Sequence, residues 1–408
     1  MTGDGKTLHH HGTVFDGWKS ISVALYMTLV GYGVLVGIPV ISSAWVSLLG
    51  FTEVQVGRVA GADLGGLSIG AVVASIIITK VNRQWLVIVS AGIAILANAS
   101  CIIIVDYEQV LWLRLLAGFG SGMYTAVAVA SLGATSKPAR AFNMMLFAFA
   151  FSQSLEMHIL PQLTMSGIYI LFIGCFASSL LFVRWVPPYP LEKGLDIEVD
   201  SEESNGSLRV EHKHVPKYVP WLVLCAITFT YINIGAYWTY IELASADRDI
   251  SSADPEWVGR VLVWASFLSI LGCLFATVLS NRFGLARPLL VTLIIQSIIV
   301  SMLAGGITDM NILISVFMFN FLWIFIDVYQ MSTIANVDHS GRFPSLIIAA
   351  QGLGQIIGPN MAATILGMGF GYGGVFMMCA CATIIGMSIY LFMYLMLRKK
   401  IPALADAS

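Results

Sequence analysis

Val56-Gly57-Arg58-Val59 is written a second time as Val258-Gly259-Arg260-Val261, an interval of 202 residues in a chain of 408. The same interval relates Gly70 to Gly272, Ala74 to Ala276, Lys80 to Arg282, Arg140 to Arg342 and Gln153 to Gln355. Each match alone is weak; the shared offset is the signal. A chain that repeats near its midpoint predicts two similar halves, and in apolar sequence two such halves form the skeleton of a secondary transporter.

The apolar character is set by composition. The chain is 58% hydrophobic and 11% charged, with a mean hydropathy of +0.84, whereas a soluble domain carries about 25% charged residues. The apolar residues fall in blocks of about 20, the length that crosses a bilayer as helix. They lack the alternating polarity of a membrane barrel, and backbone groups in lipid must be satisfied within their own segment. The expected fold class is therefore an all-α polytopic membrane protein. A net charge of −2 implies no nucleic-acid partner. The six cysteines all lie in apolar blocks and read as packing residues, not as a disulfide or metal framework. His9-His10-His11 reads as part of a solvated tail.

Twelve spans are expected, at about 20–43, 54–79, 84–105, 110–134, 140–161 and 167–186, then 219–242, 257–280, 286–306, 311–335, 343–367 and 371–397. They divide the chain into a tail (1–18), a first six-helix bundle (19–186), a linker (187–218), a second bundle (219–397) and a short C-terminal tail (398–408). The linker opens with Pro187-Pro188 and is rich in Asp and Glu, so it reads as solvated. Lys and Arg set the orientation. With both termini inside, three basic residues lie outside (Arg58, Arg248, Arg260) and Arg114 lies within a span, leaving 17 of the 21 in cytoplasmic segments. The expected location is the cytoplasmic membrane, multi-pass, with the chain a monomer in the bilayer.

Two sets of six helices, a long cytoplasmic linker and this repeat resemble the major facilitator superfamily over about residues 19–398. Asn281-Arg282-Phe283-Gly284, followed by Arg287, is similar to the family's signature loop, with Asn281 where that loop begins with Asp. Thr79-Lys80-Val81-Asn82-Arg83 occupies the corresponding place in the first half. Arg114-Leu115-Leu116-Ala117-Gly118-Phe119-Gly120 resembles the family's Arg-x-x-x-Gly-x-Gly pattern, whose Arg the resemblance associates with proton coupling or substrate binding. Gly354-x-x-x-Gly358-Pro359 resembles the family's antiporter motif, which exporters carry in the fifth span; its absence there favours uptake over efflux. The resemblance implies two bundles rocking about a central site, with the third, sixth, ninth and twelfth spans against lipid.

A charge is costly in lipid, so each embedded ionisable residue is a functional candidate. Asp63 falls about 14 Å into the second span, among Gly61, Gly65, Gly66 and Gly70, as a proton or cation site or as a partner for Arg114. Arg114 shares a helix face with Gly118 and Gly122 and suits a carboxylate of substrate or protein. The fifth span carries Gln153, Glu156 and His158; Glu156 and His158, two apart, occupy different faces. In the tenth span Asp327 sits with Trp323, Tyr329, Gln330 and Asn320. The seventh span offers Tyr231, Asn233, Tyr237, Trp238 and Tyr240, whose rings beside acids suit a cationic head group. Tyr26 and Tyr32 of the first span and Gln351, Gln355 and Asn360 of the eleventh complete the candidates.

No nucleotide loop, catalytic triad, metal cluster or haem motif is visible, so the chain is not expected to be an enzyme or to hold a cofactor. The expectation is a transporter of a small organic solute, a zwitterion or carboxylate, driven by a proton gradient with sodium as the second choice. Arg114, Asp63, Glu156 and His158 are expected as a titratable cluster in the outer half, with Asp327 farther in. Efflux of amphiphilic cations by proton antiport is the alternative, and a transport-dead receptor on the same fold the third reading.

Overall fold

A computed structural model describes residues 14–136, 138–188, 218–283, 286–337 and 346–400. The tail with His9-His10-His11, most of the linker, Gly284 of the signature loop, and Arg342 of the repeat lie outside the described residues. The described chain is helical: α1 Trp18–Leu49, α2 Glu53–Ile77, α3 Arg83–Ile103, α4 Tyr107–Gly133, α5 Pro138–Ile159, α6 Met165–Leu180, α7 Val219–Ala246, α8 Pro255–Ala265, α9 Leu268–Phe283, α10 Ala286–Ser301, α11 Asp309–Val337, α12 Ile347–Gly367 and α13 Gly371–Lys400.

Among the described residues nine helices are long and apolar enough to cross a membrane, with Pro255–Ala276 counted as one. The protein is thus an all-α membrane protein. α6 is apolar but has only 16 residues. α5 and α12 are long enough, but their embedded Gln, Glu, His and Asn side chains make them less apolar.

Local sequence sets the ends. Thr52 caps α2 in a reciprocal box with Gln55, and Gly50, at φ 70°, closes α1 in the left-handed region. Asp254 caps α8, and Pro255 follows at its first turn. The span expected at 257–280 is interrupted at Ser266-Phe267. There the Phe267 N–H reaches back only three residues, to the Trp264 carbonyl at 3.2 Å, and Ser266 Oγ donates to the Leu262 carbonyl. Those bonds tighten one turn and split the helix into α8 and α9.

The 202-residue interval recurs in the packing. A Cβ on Gly70 of α2 would run into the backbone carbonyl of Phe119 on α4; a Cβ on Gly272 of α9 would run into that of Phe321 on α11. Both glycines and both phenylalanines are 202 apart. Gly66, Gly118 and Gly122 likewise bring the α2 and α4 backbones together, as close helix approach in lipid requires. Trp238 Nε1 donates to the carbonyl of Val36, its own counterpart at the same interval, at 3.2 Å.

Gly70→Ala and Gly272→Ala are each expected to destabilise by about 1–3 kcal/mol through overpacking. Gly92→Ala on α3, whose Cβ would meet nothing within 4 Å, is expected to be neutral. Thermal unfolding of the three variants in detergent checks this; equal melting temperatures would refute the shared packing role.

Candidate functional site

A cavity of about 100 Å3 opens where α1, α5, α7, α9 and α11 meet. Tyr32 of α1, Phe149 and Gln153 of α5, Trp238 of α7, and Asn320 and Trp323 of α11 supply its functional lining. The rings are mutually braced. Tyr32 meets Phe149 edge-on at 5.4 Å, and Trp238 meets Trp323 edge-on at 6.2 Å. Gln153 Nε2 donates to Asn320 Oδ1 at 3.1 Å, joining α5 to α11 across the cavity. Asn320, Trp323 and Asp327 fall at i, i+3 and i+7, one stripe of α11. Tyr231 Oη lies 2.9 and 2.7 Å from the two Asp327 carboxylate oxygens. The cavity offers π faces and one amide pair, and a carboxylate held by a phenol stands one turn farther along the α11 stripe.

Of the sequence candidates, Tyr32, Gln153, Trp238, Asn320 and Trp323 line this cavity, while Tyr231 and Asp327 pair with each other outside its lining. Asn233 faces elsewhere: it is fully buried, and neither amide atom has a hydrogen-bond partner. Gln355, also buried, packs its backbone against Gly235 of α7. The antiporter-like glycines serve that same contact, since a Cβ on Gly354 or Gly358 would strike Thr228, Tyr231 or Ile232 of α7.

Asp63 and Arg114 form a separate site. Arg114 Nε and Nη2 donate to Asp63 Oδ2 at 2.8 and 2.5 Å, and Nη1 donates to Asn98 Oδ1 at 2.7 Å. The guanidinium lies 5.5 Å from the Tyr169 ring centroid, and Trp45 Nε1 donates to the Tyr169 hydroxyl at 3.2 Å. Both charges are buried, with 1% and 2% of their surface exposed. The single outer cluster expected of Arg114, Asp63, Glu156 and His158 is divided. Glu156 faces Gly33 and Gly37 of α1, while His158 is exposed. The cause is helix geometry, because two residues along a helix turn the side chain by about 200°. Asn98 and Tyr169 carried no signal beyond a polar and an aromatic residue in apolar spans.

At the end of the assembly that carries the Gly50 turn, the halves are tied by side chains. Arg58 Nη1 donates to Asn360 Oδ1 at 2.8 Å and to its carbonyl at 3.1 Å, and Nη2 donates to Thr364 Oγ1 at 2.9 Å. Tyr240 Oη donates to the Glu53 carbonyl at 2.7 Å. Gly57 admits this contact, since a Cβ there would strike the Tyr240 hydroxyl. Its repeat partner Gly259 faces open space. Among the described residues no group of three or more His, Cys, Asp or Glu could hold a metal ion.

No curated protein matches this sequence. Among solved structures, a point mutant of the nucleoside transporter NupG is similar at a TM-score of 0.69 and 12% identity, over 91% of this chain and 98% of that one. NupG itself gives 0.67 and 13%, over 92% and 98%. A D-xylose-proton symporter gives 0.67 and 14%, over 92% and 97%. At such identities these likenesses establish the fold alone. The profile of the Major Facilitator Superfamily matches residues 21–359, most of the chain. This chain belongs to the major facilitator superfamily of secondary transporters.

Proposed function

We propose that the protein takes up a small organic solute by proton symport, with two six-helix bundles, residues 19–186 and 219–397, rocking about the Tyr32–Trp238–Trp323 cavity. The recurrence of the 202-residue interval in the glycine contacts supports the two-bundle division. Both termini are assigned to the cytoplasm from the Lys and Arg distribution, and the chain is taken as a monomer. In that orientation the Arg58 and Tyr240 contacts close the outer end.

The carrying observation is an aromatic cavity whose Trp323 lies one helical turn before a half-buried carboxylate, Asp327, while each guanidinium nitrogen of Arg114 is engaged by Asp63 or Asn98. The aromatic faces that line the cavity suit a cationic head. A zwitterion or cation fits this cavity better than a simple organic anion, which would meet no guanidinium in its lining. Asp327 is the coupling group in this reading. Its protonation neutralises the carboxylate and favours solute binding, the carrier loaded with both proton and solute reorients, and loss of the proton on the inner side releases the solute. Nucleoside and sugar–proton carriers among the structural relatives are compatible with symport on this fold.

Proteoliposomes containing only this protein test the proposal. Under an inward proton gradient, a radiolabelled ammonium, zwitterion or carboxylate panel should show accumulation of a zwitterion or cation that a protonophore abolishes. Trp323→Ala should raise KM about tenfold, the effect of losing one aromatic–cation contact of ~1–2 kcal/mol. Proton-driven extrusion of amphiphilic cations would replace symport with antiport, and no flux of any solute would overturn the reading.

A further inference from the structure

A second opening, of about 430 Å3, lies between α5 and α6 with α1 as its floor. It shares no lining residue with the central cavity. Leu155 of α5 and Leu171 of α6, both in its wall, are 58% and 36% exposed, so it opens on the outer face of the helices, where a membrane protein meets lipid chains. No Lys, Arg or His lines it.

Glu156 sits in this apolar groove. Ser152 Oγ donates to its Oε1 at 3.2 Å, while Oε2 is shut off from solvent and has no hydrogen-bond partner. The other polar groups do not reach it: the Tyr26 hydroxyl pairs with Ser178 Oγ at 2.7 Å, and Ser178 Oγ donates to the Cys175 carbonyl. Two glycines of α1 make the room. A Cβ on Gly37 would lie 2.9 Å from Oε2, and one on Gly33 would lie 3.5 Å from Oε1. A buried carboxylate oxygen without a donor is costly. Glu156 is the one charged side chain among the groove's lining residues and no cation of the protein faces it there, so the groove is complementary to a ligand that brings an N–H donor and positive charge on an apolar body.

We propose that the groove is a binding site for a lipophilic ammonium taken from the bilayer, with its N–H groups on Glu156 and its alkyl chain along Leu29, Val30, Leu155 and Leu171. The charge selects the head and the apolar wall selects the tail. A neutral alcohol of the same length fits the wall but leaves the carboxylate charge unmatched. An anionic amphiphile is repelled. The site stands apart from the central cavity, and its test does not require transport.

Cys175 lines the groove and is half-buried, whereas Cys225 and Cys381 are exposed on α7 and α13. The full chain in phosphatidylcholine nanodiscs is treated with a bilayer-soluble maleimide, and alkylation is read cysteine by cysteine through peptide mass spectrometry. Dodecylammonium is expected to slow alkylation of Cys175 and to leave Cys225 and Cys381 unchanged. Glu156→Gln is expected to raise the half-protecting concentration about tenfold, as loss of a charge-assisted hydrogen bond does. Dodecanol is expected to protect weakly, and equally, in both proteins. Ala148→Trp, which fills the groove and spares the carboxylate, should shield Cys175 with no ligand present. Equal protection of the unaltered chain by dodecanol and dodecylammonium overturns the proposal, and so does no protection by either. Unchanged protection in folded Glu156→Gln overturns it as well. The ammonium–alcohol contrast on the unaltered chain decides the question even where the variant fails to fold.

Discussion

Arg114→Ala is expected to destabilise the folded protein by about 3–5 kcal/mol, the cost of removing one partner of a buried ion pair. The alanine leaves Asp63 as a carboxylate 2% exposed, with both of its Arg114 hydrogen bonds gone. It also strips Asn98 Oδ1 of its donor and empties the space over the Tyr169 ring. Asp63→Ala is expected to cost a similar amount, because a guanidinium 1% exposed would retain only Asn98. The double variant, Arg114→Leu with Asp63→Ala, is expected to recover most of the loss. A buried pair replaced by apolar groups is often neutral, whereas half a pair is not. A double-mutant cycle on thermal unfolding in detergent measures the coupling. Single losses that simply add in the double variant would show that the pair does not act as a unit and would return Arg114 to the list of substrate ligands.

How much of this was legible in the sequence divides along physical lines. The glycine faces of α2 and α4, and their repeat in the second half, could be read because close backbone approach in lipid requires glycine at fixed spacing. Gly70 and Gly272 occupy the places that reading implied. The α11 stripe of Asn320, Trp323 and Asp327 follows from helical periodicity, and an embedded acid with aromatic neighbours gives a strong signal. Partners were harder. Periodicity puts Arg114 on the Gly118 face but cannot choose between Asp63 of the same half and a solute carboxylate; the short α2–α4 distance decides that. Asn98 looked like any polar residue in an apolar span. Glu156 and His158 could be assigned to different faces, yet that Glu156 would meet two α1 glycines depends on how α5 packs against α1. The break at Ser266-Phe267 rests on one backbone and one side-chain hydrogen bond and left no Gly or Pro to read.

Asp327→Asn is expected to abolish proton-driven accumulation while preserving exchange of solute across the membrane. A gradient of one pH unit is worth about 1.4 kcal/mol per proton and supports about tenfold accumulation of a symported solute. Asparagine keeps the size of Asp327 and accepts a hydrogen bond from Tyr231, so the geometry around the 2.9 and 2.7 Å contacts can persist. What it cannot do is take up and release a proton, and the expected ratio of inside to outside solute falls from about ten to about one at that gradient. Counterflow, in which unlabelled internal solute drives entry of labelled solute, needs reorientation without net proton movement and should continue. Tyr231→Phe removes the phenol but leaves the carboxylate, so it should slow uptake and retain accumulation. These three measurements separate coupling from binding. If Asp327→Asn still accumulates solute tenfold, the coupled proton resides elsewhere. Glu156 is then the next carboxylate to replace, since the α2 acid already has Arg114 as its counter-ion. If counterflow is lost together with accumulation, Asp327 is needed to bind the solute itself, which fits a cationic head seated between the carboxylate and the Trp323 ring.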